Sequence, residues 1–148
     1  MTRLLPTAAV MAAAALLAAP ALAEHRKVVD GLEINLGVVP AAQLLRTDPY
    51  ERSSHREAAA NATHHVVVGV ADAKTGAPID DARVSLELVD PRGATQRRTL
   101  VAGDAGGRPD YSGLFRFCWS GGYQLRVNVE RAGAPPVRTN FAWNQDAY

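Results

Sequence analysis

Tyr123-Gln124-Leu125-Arg126-Val127-Asn128-Val129-Glu130-Arg131 alternates apolar and polar residues from Tyr123 through Glu130. Successive side chains of a strand point to opposite faces, so Tyr123, Leu125, Val127 and Val129 share one side and Gln124, Arg126, Asn128 and Glu130 the other. This is the pattern of a strand with one face buried and one in water. Ser120-Gly121-Gly122 before it reads as a tight hairpin, and Gly133–Pro136 after it as a turn.

Working outward, the same period recurs between turn residues. Toward the C-terminus, Val137–Trp143 puts Val137, Thr139, Phe141 and Trp143 on one side. Toward the N-terminus, Gly113–Trp119 puts Phe115, Phe117 and Trp119 opposite Arg116 and Cys118. Thr95–Val101 and Ala82–Val89 precede it, joined by Asp90-Pro91-Arg92-Gly93. Gly103–Asp110 reads as a loop. His64–Ala71 is nearly continuous in Val, as a strand covered on both sides would be. Asp72–Pro78 is a turn in which Gly76 takes positive φ. Gly31–Val39 places Leu32, Ile34, Leu36 and Val38 together. Pro40 ends it and starts a short helical turn over 41–46. Residues 47–63 read as a long exposed loop. Seven short strands predict an all-β, immunoglobulin-like or transthyretin-like sandwich. A parallel α/β sheet is excluded, because the crossover helices it needs are missing.

The first 23 residues read as a signal peptide. Arg3 is followed by an Ala/Leu-rich run that ends in Ala21-Leu22-Ala23, the small-x-small pattern of a cleavage site. The rival reading is an uncleaved anchor. No later segment is apolar enough to span a membrane, which takes roughly 20 residues. The expected organisation is 1–23 signal peptide, 24–63 an N-terminal strand, turn and loop packed on the domain, and 64–148 the sandwich.

The chain has 16 Lys+Arg and 15 Asp+Glu, and Arg3 is the one charge before residue 24, so residues 24–148 carry no net charge with His neutral. A nucleic-acid partner is therefore not expected. The Ala/Arg/Gly-rich, Lys-poor composition suggests a bacterial source and makes the periplasm or the exterior the expected location. Cys118 stands alone and cannot form an intrachain disulfide. It reads first as a small buried apolar residue, with an intermolecular bridge or a metal thiolate as alternatives. Met1 and Met11 both lie in the signal peptide, so no thioether is left for a soft Cu(I) site.

Four histidines are the candidate metal ligands: His64, His65, His55 and His25. Imidazole is the commonest metal ligand. Adjacent strand residues face opposite ways, so His64 and His65 share one ion only if the strand begins after them. Asp48, Glu51 and Glu57 lie in the same loop as His55. Cleavage after Ala23 would also leave Glu24-His25 with a free amine that chelates Cu(II). The competing reading is a solvated or hydrogen-bonded histidine pair. Trp119 and Tyr111, with Trp143 and Tyr148, are candidates for a binding patch, against a reading as core. No G-x-S-x-G, P-loop or H-E-x-x-H motif is present, and an enzyme is not expected.

Ala71-Asp72-Ala73-Lys74-Thr75-Gly76-Ala77-Pro78-Ile79, followed by Ala82-Arg83-Val84, resembles the segment carried by transthyretin-like and carboxypeptidase-regulatory-like domains. With Tyr111–Phe115, Gly121–Val127 and His64-His65-Val66, the chain also resembles the small exported YtkA-like proteins. The resemblance covers roughly 64–143. It implies a sandwich fold and a periplasmic accessory or binding role, with copper as the implied metal. The alternative is a metal-free interaction module with an envelope protein as partner. The transthyretin-like hydrolase of ureide breakdown ends in Tyr-Arg-Gly-Ser. This chain ends Asn144-Gln145-Asp146-Ala147-Tyr148, so that activity is not carried over.

Overall fold

The computed structural model describes residues 25–43, 63–104 and 107–146. Among the described residues nine strands form: β1 (Arg26–Val29), β2 (Leu32–Pro40), β3 (His64–Asp72), β4 (Arg83–Val89), β5 (Thr95–Thr99), β6 (Val101–Asp104), β7 (Pro109–Phe115), β8 (Gly121–Glu130) and β9 (Val137–Gln145). They make two antiparallel sheets, one ordered β1-β2-β3-β7-β6 and one ordered β5-β4-β8-β9. Residues 41–43 make the start of a helical turn; its expected remainder, the expected loop up to residue 62 and the signal peptide lie outside the described residues. No helix among the described residues is long and apolar enough to cross a membrane.

The alternation read in the sequence is what builds the core. Leu32, Ile34 and Leu36 from β2 and Val66, Val68 and Val70 from β3 meet Val84, Leu86 and Leu88 from β4 and Tyr123, Leu125, Val127 and Val129 from β8. Side chains of this kind contribute roughly 1.5–3 kcal/mol each when fully buried. β2 pairs with β3 from Leu32↔Asp72 to Pro40↔His64, so it is an inner strand of its sheet. The boundary expected between 24–63 and 64–148 therefore runs through one sheet, and residues 26–40 are integral to the sandwich.

The count of nine, where seven were expected, has two causes, and a third strand is shifted. β1 was not anticipated. It folds onto β2 through Asp30 and Gly31, at φ 47° and 78°, the pair of positive angles that a two-residue hairpin turn requires. The single strand expected at Thr95–Val101 changes sheets at Leu100. β5 pairs with β4, β6 pairs with β7, and the Leu100 N–H turns to the Val84 carbonyl at 2.8 Å. The strand expected at Gly113–Trp119 instead runs from Pro109 to Phe115. Ser120-Gly121-Gly122 is thus no hairpin: residues 116–120 carry the chain from β7 in one sheet to β8 in the other.

That crossing looks like strand in the sequence because Phe117 does face the core. Its backbone groups are satisfied by distant side chains instead of a neighbouring strand. The Gln96 amide accepts from Arg116 N–H at 3.0 Å and donates to Arg116 C=O at 2.7 Å. The Thr63 hydroxyl accepts from Phe117 N–H at 2.7 Å. The Tyr123 hydroxyl accepts from Trp119 N–H at 2.9 Å and donates to Trp119 C=O at 2.8 Å. Cys118, expected inside a strand and buried, is exposed on this crossing.

Candidate functional site

His64 and His65 open β3, between Pro40 and Val39 of β2 on one side and Phe115 and Leu114 of β7 on the other. Both are buried, at 4% and 5% exposure. They point to opposite faces of the sheet, as the strand period demands. His64 lies on the same face as Val66 and Val68 and turns inward at the end of the sandwich. Its ring packs on Phe117 with centroids 4.6 Å apart, and Phe117 in turn packs on Tyr123 at 4.7 Å. His65 lies on the outer face.

His64 Nδ1 is 2.9 Å from the Thr63 hydroxyl, the same hydroxyl that accepts from Phe117 N–H. Nδ1 is therefore committed, and Nε2 is the ring nitrogen left for a ligand or a proton. A hydrogen bond to the far nitrogen is how metal-bound histidines are commonly oriented. Burial pushes the His64 pKa below its ordinary 6.5, so the ring is held neutral, the form that binds metal.

Gln145 completes this end of the molecule. It is buried, and its Nε2 donates to the Phe117 carbonyl at 3.4 Å. Gln145 Oε1 and the Trp143 indole N–H are buried with no hydrogen-bond partner among the described residues. Thr63, Phe117 and Gln145 were not singled out in the sequence. Thr63 adjoins His64 in the chain, but Phe117 reaches the ring only through the fold, and Gln145 meets Phe117 across 28 residues of chain. The motif pattern holds no signal for such contacts.

The other expected site residues are not brought together with His64. His25 is exposed, just before β1, and its carbonyl accepts from Leu36 N–H at 2.8 Å. Leu36 lies four positions along β2 from Pro40, the partner of His64, which is about 13 Å of strand. The His25 ring instead approaches Trp143, with centroids 6.1 Å apart. His55 lies outside the described residues. Among the described residues no three His, Cys, Asp or Glu side chains gather at one point. Of the His64 ring nitrogens, Nε2 is thus the one not engaged by Thr63.

Tyr111 does not line a surface. It is 1% exposed, and its hydroxyl donates to the Ile79 carbonyl at 2.9 Å and accepts from Ala82 N–H at 3.0 Å. It ties the segment after the Asp72–Pro78 turn to β7, and its expected part in a binding patch is replaced by a structural one. Trp119, by contrast, is 41% exposed. The Arg92 guanidinium stacks on its ring, 3.2 Å from the centroid.

No family model matches this sequence, and no curated protein does. Solved structures do match in fold. A copper-bound variant of FetP from uropathogenic Escherichia coli strain F11 superposes with a TM-score of 0.63 at 16% identity, covering 80% of this chain and 92% of that one. A copper-bound variant of P19 from Campylobacter jejuni gives 0.64 at 17% identity, covering 81% and 93%. A DUF4426 family protein from Pseudomonas aeruginosa PAO1 gives 0.63 at 16%, covering 82% and 96%. At these identities the likeness is one of fold.

Proposed function

We propose that this chain is an exported, periplasmic accessory protein that binds copper through its histidines. The observation that carries the proposal is His64, a neutral buried imidazole with Nδ1 fixed by Thr63 and Nε2 left over, on a fold shared with copper-bound FetP and P19. Because His64 and His65 face opposite ways, one ion takes one of them. The remaining donors come from the stretch that holds His55, Asp48, Glu51 and Glu57; His25, about 13 Å of strand away, would serve only a separate site. A bound cupric ion would supply a strongly polarising, redox-active centre; the protein's part is to orient the imidazole and keep the site dry. Calorimetric titration with Cu(II) tests this. The His64→Ala/His65→Ala double variant is expected to lose the tight site, and His55→Ala to weaken it. Equal uptake by wild type and double variant would refute the reading.

A second reading is favoured by the Trp119–Arg92 stack beside Cys118. Trp and Arg dominate binding energy at protein interfaces, and this pair is presented on the surface. In that case the chain docks an envelope partner without metal. Partner capture that survives chelator and the histidine substitutions, and is lost in Trp119→Ala, distinguishes it.

A further inference from the structure

The outer face of the β5-β4-β8-β9 sheet has an organisation that the copper reading does not use. Its exposed positions fall in rows set by strand register. One row runs Arg97–Glu87–Arg126–Asn140 and the next Thr99–Ser85–Asn128–Arg138. Glu87 sits between two guanidiniums: Arg97 Nη2 donates to its Oε2, and Arg126 Nη1 donates to its Oε1 at 2.8 Å. The pairs hold the Glu87 carboxyl below its usual range, so it stays ionised and keeps both arginines in place. Arg138 Nε donates to Asn128 Oδ1 at 3.2 Å, and Asn128 Nδ2 donates to Glu130 Oε1 at 2.8 Å. Together these side chains bound a depression of about 710 Å3.

Each guanidinium has five N–H donors in a rigid fork, and these contacts leave most of them facing outward. Arg97 and Arg126 remain 75% and 60% exposed, so the face is open. The lining holds Arg97, Arg126 and Arg138 against Glu87 and Glu130, a net positive face on a chain with almost no net charge. A densely charged polyanion fits poorly, because the two carboxylates would repel it. A ligand with sparse carboxylates and many hydroxyls fits better: its carboxylates meet the guanidiniums, and its hydroxyls meet Asn128, Asn140 and Glu130. Four strands at about 4.8 Å spacing make the face roughly 14 Å across, the length of two to three sugar rings.

We propose that this sheet face binds an anionic, uronate-type oligosaccharide, with Arg126 and Arg138 taking its carboxylates. The proposal is independent of the copper reading, and binding should persist in the His64→Ala/His65→Ala variant. The test is calorimetry of the full protein with a hyaluronan hexasaccharide, in which only alternate rings carry a carboxylate. Arg126→Gln and Arg138→Gln should each weaken binding about tenfold, the loss of one charge-assisted pair. Arg26→Gln, which removes a charge from the other sheet, should leave it unchanged, and a neutral glucan of equal length should not bind. Amide shifts on wild-type protein provide a check that needs no variant, and should cluster on β4, β8 and β9. The proposal is overturned by no binding, by shifts confined to other strands, by undiminished affinity in both arginine variants, or by equal affinity for polyglutamate, which would mark the face as an acidic-peptide site.

Discussion

Replacing Tyr111 by Phe separates a structural role from a binding one, and its cost can be worked from the geometry. The substitution removes one oxygen and keeps the ring, so packing against the core is preserved. Two hydrogen bonds disappear, to the Ile79 carbonyl at 2.9 Å and from the Ala82 N–H at 3.0 Å. A typical intramolecular hydrogen bond contributes a net ~1 kcal/mol, and a buried group left without a partner costs ~1–3 kcal/mol. Ile79 is 8% exposed, so its carbonyl has poor access to water, while Ala82 is only partly covered. The expected loss is therefore about 2–3 kcal/mol, a large part of the ~5–15 kcal/mol of an ordinary domain. For a domain of this size that lowers Tm by roughly 8–15 °C. Urea unfolding followed by tryptophan fluorescence measures it, with a lower midpoint and an unchanged slope if only stability has moved. A Phe variant within about 0.5 kcal/mol of wild type would refute the structural role of the hydroxyl.

Two further predictions follow from the site. His64 has a depressed pKa, so the unfolded chain binds a proton here that the folded one refuses. The stability this provides is present above the unfolded value near 6.5 and is lost as pH falls toward the folded pKa. Thermal melts should drop between pH 7 and 5, and His64→Gln should flatten that drop; an identical slope in the variant would contradict the burial argument. Cys118 is exposed on the crossing, so its thiol should react with a disulfide reagent in the native state without prior unfolding. Cys118→Ser should change stability by less than ~0.5 kcal/mol, and protection of the thiol until denaturation would show that the crossing is covered.

The strands that were legible in the sequence are those whose period is set by the core. β2, β3, β4, β8 and β9 each show alternating burial, and a period of two is enough to find them. β1 was overlooked although Asp30-Gly31 is a strong hairpin signal, because its four residues, Arg26-Lys27-Val28-Val29, alternate too briefly to register. The change of sheet at Leu100 could not be read, since an inward side chain looks the same whichever sheet carries it. The end of β7 was hidden for a related reason. Phe115 and Phe117 are both buried, so the alternation continues past the point where pairing stops. What replaces the ladder there comes from Gln96, Thr63 and Tyr123, and two of these lie 20 and 54 residues away from their partners. The opposite facing of His64 and His65 follows from strand geometry alone, but the burial of His64 depends on Phe117 and was not visible.

The crossing gives His64 a consequence beyond its own chemistry. Residues 116–120 join the two sheets at this end, and Phe117 is the point where their packing meets the histidine. Its ring bears on His64 and Tyr123, its N–H on Thr63, and its carbonyl on Gln145. Thr63 is shared, so anything that turns the His64 ring competes with the hold on Phe117 N–H. A proton or a metal arriving at Nε2 places charge against an aromatic ring whose position fixes Trp119 through Tyr123. The surface that carries the Trp119–Arg92 stack is therefore joined to the buried imidazole by a short chain of contacts. The copper-binding and partner-docking readings need not compete, because the first can bias the second. Such a bias is physical only if the two events are energetically coupled. The measurement is partner affinity with and without Cu(II): a change that disappears in Thr63→Val as well as in His64→Ala would trace the coupling to this path, and a change that survives Thr63→Val would place it elsewhere.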